Sequence, residues 1–384
     1  MAGPLAGLSI LELPAIGPVP FLGMLLADFG AEVIRIDRPA MNDQSPFADL
    51  PAGPNGPLGR GRRSIELDLR QPGGVAVALD LVAGSDALIE GFRPGVAERL
   101  GLGPEPALGR NPALVYGRMT GWGQHGPLAG RAGHDITYLA VSGLLHGIGP
   151  AAGPPVPPAN YLADFGGGAM SLAVGVLAAV LSARSTGQGQ VVDAAMLDGT
   201  GYLATMVRAL YGHRLWSDER EANLLDGGAP NYRCYRCADG RYIAVGALEP
   251  KFWAVLLDAL GLDPAAVPSP YDPAAKAELT TLLGRIFAGR SRDEWAAVFE
   301  PLDACVAPVL TLAEAPEHPH NMARGNYIEA AGVTVAAPTP RFSATATAPA
   351  GPPPRSGADT DALLTELGYS EQQLAQLRAD RIIG

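Results

Sequence analysis

Two proton-carrying groups stand thirty positions apart in the run GHDITYLAVSGLLHGIGPAAGPPVPPANYLADFGGG, Gly133 to Gly168. His134 and Asp135 open this run and Asp164 closes it, with an apolar stretch, a Gly/Pro-rich loop and a glycine-rich helix start between. An imidazole and a carboxyl, each at the edge of an ordered element, are what general acid/base catalysis uses. Plainer readings stand beside this one. A histidine next to an apolar run is more often structural, and Asp164 can cap the helix that follows it. Asn160 can bond locally or orient the loop. His146, His213, His318 and His320 carry no pattern that points to chemistry.

The basic residues are few enough to weigh singly. Arg60, Arg62 and Arg63 crowd the run GRGRRS, which reads either as a solvated loop edge or as a site for a phosphorylated ligand. Arg38 follows a strand directly, and an arginine at the carboxyl end of a parallel strand can hold phosphate. Asp37 sits where a dinucleotide-binding fold keeps its ribose-binding acid, but the first turn, PAIGPVP, lacks the glycine fingerprint that reading requires. Cys234 and Cys237 form a single CxxC, a weak zinc signal that reads as two structural thiols on a strand entering the turn Asp239-Gly240. No metal site is expected.

The elements that must position these groups alternate. Leu8 to Leu13 reads as a buried strand, Phe21 to Phe29 as a helix closed by Gly30, and Ala31 to Ile36 as a second strand. Strand, helix and strand in under 40 residues make a βαβ unit. Strands follow at Ser64 to Leu69, Asp86 to Ile89 and Leu114 to Met119, with helices at Gly74 to Val82, after Arg93 (carrying Arg99) and from Gly168 to Ala183. Val191 to Ala195 is short and apolar and reads as able to start a long helix to about Leu210. From Asp226 the period changes to a hairpin about Asp239-Gly240, then helices at Phe252 to Leu260, Ala275 to Phe287 and Arg292 to Phe299. Pro338 to Pro354 is expected to wrap the surface, and Asp359 to Leu367 and Glu371 to Arg378 to form closing helices. The expected fold is therefore α/β: a doubly wound, Rossmann-like open sheet in a large domain, with a smaller α+β domain. Residues 1–198 and 336–384 are assigned to the large domain, 199–226 to a linker helix, 227–325 to the small domain and 326–335 to a return linker.

Composition narrows the partners. The 384 residues carry a net charge of −11 and are 47% hydrophobic and 17% charged. Such a chain is globular, and so acidic a surface does not favour nucleic acid or anionic lipid. Three cysteines are too few and too uneven for a disulfide framework. Met1 to Gly7 lacks a basic leader, and the apolar helix from Gly168 is read as a core helix rather than a membrane span. A cytoplasmic location is expected.

Several long motifs carry a resemblance over nearly the whole chain: LELPAIGPVPFLGMLLADFGAEVIRIDRP, EGFRPGVAERLGLGP, GRMTGWGQHGP, AGHDITYLAVSG, LADFGGG, STGQGQVVDAAMLDG, DGGAPNYRCYRCADGRYIAVGALEP and DACVAPVL. These resemble the class III CoA-transferase superfamily, in its α-methylacyl-CoA racemase branch. The resemblance implies an acyl-CoA substrate with CoA as part of the substrate, no separate cofactor, and two interlocked chains forming a homodimer with the active site between subunits. It implies His134 and Asp164 as the two acid/base groups and Glu249 as the carboxylate paired with His134. It also puts Arg38, Arg62 and Arg99 in segments like the family's CoA-binding ones.

Inverting a carbon beside a thioester carbonyl calls for one group on each face. His134 takes a proton while protonated Asp164 gives one, and the reverse reaction exchanges the roles. The backbone of Asp164, Gly166 and Gly167, read as a helix N-terminus, is expected to meet the enolate oxygen. Asp135, Asn160 and Tyr161 are further candidate site residues. Tyr161 stands where a smaller or aliphatic side chain is expected, and the loop Met41 to Gly59 looks extended; both bear on the acyl group. The alternatives are a class III CoA-transferase using Asp164 as a nucleophile, an idle acyl-CoA binder, or an enolate-forming isomerase or cyclase of a biosynthetic pathway.

Overall fold

The computed structural model describes residues 3–39, 56–345, 347 and 349–384. Part of the loop Met41 to Gly59, residues 41–55, lies outside the described residues. The first apolar run extends as β1 (Ser9–Glu12). Gly17, at φ 70°, then turns the chain into α1 (Pro18–Asp28). The helix begins three residues before Phe21 because Pro18 occupies its first position, where a missing N–H is no loss. Gly30, at φ 92°, lets the chain leave α1 and enter β2 (Glu32–Asp37).

The alternation continues through β3 (Arg62–Glu66), α2 (Pro72–Ala83), β4 (Ala87–Glu90), α3 (Val96–Leu100), α4 (Pro104–Arg110), β5 (Val115–Thr120) and α5 (Asp135–Ser142). A π-helical segment, Tyr161–Ala169, runs straight into α6 (Met170–Thr186), followed by β6 (Gln190–Ala195) and α7 (Met196–Leu203). Among the described residues these six strands form one sheet of order β3-β2-β1-β4-β5-β6. All its pairs are parallel, Ile10 lying opposite Val33 and Ala87, for example. The doubly wound open sheet read from the sequence is thus present. One expectation fails: residues 190–195 are a strand, not a helix start. Val191 and Val192 are β-branched, and β5 offers an edge along which Gln190 to Ala195 pair with Val115 to Thr120; pairing decides against local propensity. The helices that follow are two, α7 and α8 (Thr205–Gly212), separated at Ala204.

Two compact units divide the chain. The first comprises Met1–Ser142, Pro158–Leu203 and Arg324–Gly384, and the second Gly143–Pro157 and Ala204–Ala323. In the second, β7 (Tyr232–Arg236), β8 (Tyr242–Gly246) and, after α9 (Pro250–Ala259), α10 (Lys276–Phe287) and α11 (Arg292–Phe299), β9 (Val306–Pro308) form an antiparallel sheet. Tyr235, Ile243, Trp253, Leu256, Phe287 and Trp295 fill its core, and Gly240, at φ 80°, makes the predicted turn. Beyond α12 (Pro319–Arg324), the segment read as a return linker holds a hairpin, β10 (Tyr327–Ala330) with β11 (Val333–Ala336). Its two-residue turn uses positive φ at Ala331 and Gly332, as a tight hairpin requires. The helices α13 (Thr360–Glu366) and α14 (Glu371–Ala379) close the chain.

In the first unit, alternate residues of each strand face opposite sides. Leu11, Ile34, Ile36, Ile65, Leu88 and Tyr116 pack with residues of α2, α13 and α14. The opposite side carries α6, whose Leu172 and Val176 close on Gly117; a Cβ there would lie 3.1 Å from Val176. The apolar helix Tyr161–Thr186 is long enough to cross a membrane, with mean hydropathy 1.8. Here it covers the sheet, burying Leu172, Ala173, Val176, Ala179, Val180 and Ala183.

Candidate active site

The strand order reverses between β1 and β4, which opens a crevice beyond their carboxyl ends. A cleft of about 310 Å³ lies there. Ile16 to Val19 line it after β1, Gly91 to Pro94 after β4, and Met119 to Trp122 at the end of β5. His134, Tyr138, Asp164 and Met196 complete the wall with Arg131 to Gly133. The topology thus brings the two predicted proton carriers to one cavity.

His134 immediately precedes α5. Its N–H donates to Thr137 Oγ1 at 3.0 Å, and that hydroxyl donates back to the His134 carbonyl at 2.7 Å. The backbone is therefore fixed while the imidazole stays exposed at the cleft. Asp164 rides on the π-helical segment, half-buried. Burial pushes its carboxyl above the ordinary value, a hydrogen bond from Asn160 opposes this, the negative charge of Asp135 adds to it, and a charged His134 would draw it down. Asn160 Nδ2 donates to Asp164 Oδ2 at 3.3 Å, so Asn160 does reach the site. Phe165 stacks on Phe21 of α1, ring centroids 4.5 Å apart, which fixes the residue next to Asp164. Gly17 leaves room beside the carboxylate: a Cβ there would lie 3.6 Å from Asp164 Oδ2.

Asp135, the first residue of α5, is buried, and its Oδ2 accepts from the N–H groups of both Ala163 and Asp164 at 2.9 Å. Tyr138 lies one turn on. Its ring meets Trp122 edge-on at 4.8 Å, and a Cβ at Gly121 would come within 2.1 Å of it. Burial first, then the charge of Asp164, raises the Tyr138 hydroxyl pKa, while Arg93 opposes it.

Several expectations are corrected. The glycines after Asp164 are not a helix N-terminus. They lie inside the π-helical segment, whose hydrogen bonds reach five residues back, as Met170 N–H does to the Phe165 carbonyl. Gly167 is buried against α7, where an added Cβ would stand 2.5 Å from the Thr200 nitrogen. Gly166 and Gly167 therefore serve helix packing rather than an oxyanion, and the Asp164 N–H is held by Asp135. Arg62 does not face a ligand. Its side chain is fully buried and pairs with Glu12 at 3.0 Å, with further bonds to the carbonyls of Arg60 and Pro20. Burial pushes the Arg62 guanidinium down and the Glu12 carboxyl up, each restrained by its partner. Arg60 likewise pairs with buried Asp28. Asp37 is held by Arg35 and by the Ser64 hydroxyl at 2.6 Å, which occupies the carboxylate a ribose would need.

Arg38 and Arg99 are exposed. Tyr161 is 62% exposed at the start of the π-helical segment. Glu249 belongs to the second unit, where it precedes α9, exposed and with no side-chain capping bond. The CxxC reads as structure: Cys237 is buried in the second core while Cys234 is exposed on β7. Among the described residues no group of three His, Cys, Asp or Glu is arranged to hold a metal ion.

Residues 5–360 match the model of CoA-transferase family III. The chain belongs to that family. It is 42% identical over 381 residues to the mouse protein named α-methylacyl-CoA racemase, spanning 99% of this chain and 97% of that one. The human protein of the same name is 43% identical over the same length. A crystal structure of a CaiB/BaiF family protein from Brucella suis superposes with a TM-score of 0.82 at 27% identity, covering 96% of this chain and all of that one.

Within this family member, three site residues escaped sequence reasoning. Arg93 and Arg131 line the cleft, exposed, and the only available signal was their place after a strand and just before GHD. Glu90 is the third: its Oε2 accepts the Phe92 N–H at 2.6 Å and its Oε1 accepts from Arg118 at 2.9 Å. Arg118 continues to Glu98 at 2.8 Å. This chain of charges fixes the loop bearing Arg93 and the short helix bearing Arg99.

Proposed function

We propose that this chain is an α-methylacyl-CoA racemase, an isomerase that inverts the 2-methyl centre of an acyl-CoA thioester by 1,1-proton transfer. One observation carries the reading: an imidazole faces one cleft at the switch point of the sheet together with a carboxyl, Asp164, whose pKa burial raises. The identities of 42% and 43% to proteins of that name support the same reaction. Neutral His134 removes the α-proton from one face, the electron pair moves onto the thioester oxygen, and protonated Asp164 returns a proton to the other face. In the opposite direction Asp164 is the base and the His134 imidazolium the acid. Each group supplies about 10²–10⁴-fold in rate.

With the glycine N–H groups committed, the start of α5 is the place for the enolate oxygen. The Thr137 and Tyr138 N–H groups return to the His134 carbonyl, leaving those of Asp135 and Ile136 without intrahelical acceptors. CoA arrives as part of the substrate, its phosphates meeting exposed Arg38, Arg99, Arg93 and Arg131. A second copy of the chain would supply Glu249 to orient His134. The apolar side chains exposed on α6, Val174 and Leu181 at 69% and 71%, support such a covering copy.

The test is incubation with (R)- or (S)-2-methylacyl-CoA in D₂O, following α-deuterium and chirality. The expected outcome is deuterium at the α-carbon with loss of optical purity, and both abolished in His134→Ala and Asp164→Ala. CoA passing to an added carboxylic acid without exchange would replace this reading by a CoA-transferase with Asp164 as nucleophile.

A further inference from the structure

The Asp135 side chain is used by neither proton transfer nor CoA binding, yet it is 7% exposed beside the cleft. Its Oδ2 holds the N–H groups of Ala163 and Asp164, each at 2.9 Å. Its Oδ1 is buried with no hydrogen-bond partner among the described residues. A buried carboxylate oxygen without a donor is costly, so its retention asks for a reason. Covalently, Asp135 follows His134. Through Oδ2 it grips the backbone of Asp164. One side chain therefore ties the mounting of one proton carrier to that of the other.

From this geometry we infer that Asp135 is the positioning residue that sets both the placement and the proton affinity of Asp164. This rests on the racemase reading of the site. Other charged and titratable groups bear on the same place from every side. Asp164 comes from the π-helical segment, His134 and Tyr138 from its own loop and helix, and Arg93 from the loop after β4. Arg93 opposes the negative charge seen at Tyr138, and Asn160 and His134 stabilise ionised Asp164. Asp135, whose Oδ1 no donor quenches, acts in the opposite sense and keeps Asp164 able to hold a proton.

The competent enzyme carries one proton shared between His134 and Asp164 in either direction, so kcat/KM against pH is a bell whose limbs belong to the pair. Asp135→Asn keeps the shape and one acceptor oxygen but removes the charge. The acid limb should move to lower pH in both directions, with kcat reduced and KM changed by less than about threefold, because CoA contacts lie elsewhere. Asp135→Glu keeps the charge and displaces the grip. Its kcat should fall on the order of a hundredfold, the scale of a misplaced catalytic group, with the acid limb in place. An Asp135→Asn protein that folds and keeps the wild-type acid limb overturns the inference. Should that protein not fold, Asp135→Glu decides alone, and unchanged kcat overturns it. Failure of the wild-type protein to exchange α-deuterium would instead sink the racemase reading, so the two failures are distinguishable.

Discussion

A racemase needs two groups of opposite protonation, and at neutral pH an ordinary carboxyl is a poor proton donor because it is almost wholly ionised. Burial and the charge of Asp135 raise the Asp164 pKa. The sign follows directly: a raised carboxyl keeps its proton to higher pH, so the acid limb of kcat/KM should lie above about 4, the ordinary aspartate value. Activity should fall as pH drops through that limb, where both groups become protonated, and fall again on the alkaline side, where both are bare. A pH profile of α-deuterium exchange checks this, and an acid limb at the ordinary value would remove desolvation from the account. His134 and Asp164 were legible because their residue types already fit proton transfer and their flanking motifs are long. Arg62 is not legible from the sequence, for a physical reason. An arginine in a basic run looks the same whether it meets solvent or a buried carboxylate, and its partner Glu12 lies 50 positions away. Arg93 and Arg131 are not legible there either, because a lone arginine in a loop has no periodicity to mark its direction.

At the scale of elements, the glycines after Asp164 show why composition alone misplaces a function. Small residues before an apolar run fit a helix start, and they equally fit close packing of two helices. The structure selects the second. The Gly167 position stands against Gly199 and Thr200, and a Cβ at Gly199 would in turn lie 1.8 Å from the Gly167 carbonyl oxygen. Two backbones approach where neither residue has a side chain. Gly167→Ala should therefore force the Asp164 segment from α7, with a stability loss of about 1–3 kcal/mol and a melting temperature lower by several degrees. Racemisation should fall with it, since Asp164 sits three residues away. A thermal melt equal to wild type would show that α7 yields without cost. The same limit explains β6: Val191 to Ala195 has no strong period of its own, and its form is decided by the free edge of β5.

For the whole molecule, the doubly wound sheet was readable because β and α periods alternate along the first 190 residues, and the cleft follows from strand order. How the chain closes on itself was not. Gly61 N–H bonds the Gly351 carbonyl at 2.7 Å, Ser64 N–H donates to Asp359 at 2.8 Å, and half-buried Arg63 pairs with exposed Glu366 at 2.7 Å. These contacts, some 290–300 positions apart, seal the β3 edge with the C-terminal segment, and no local pattern announces them. The outer face of α6 poses the complementary question, because Val174 and Leu181 lie exposed on a helix whose other face is buried in the sheet. Isolated apolar side chains on a surface are ordinary; two on one long helix, in a chain proposed to borrow Glu249 from a partner, mark the face where that proposed partner would dock. Val174→Asp places a charge there without touching the core or the cleft. Sedimentation should then show a smaller species than wild type at the same concentration, with unchanged circular dichroism. Racemisation should fall and recover in part as protein concentration rises, since mass action restores the pair. A variant that sediments as wild type would place the partner on another face. A monomer with full activity would show that each chain completes its own site and that Glu249 of a second copy is not needed to orient His134.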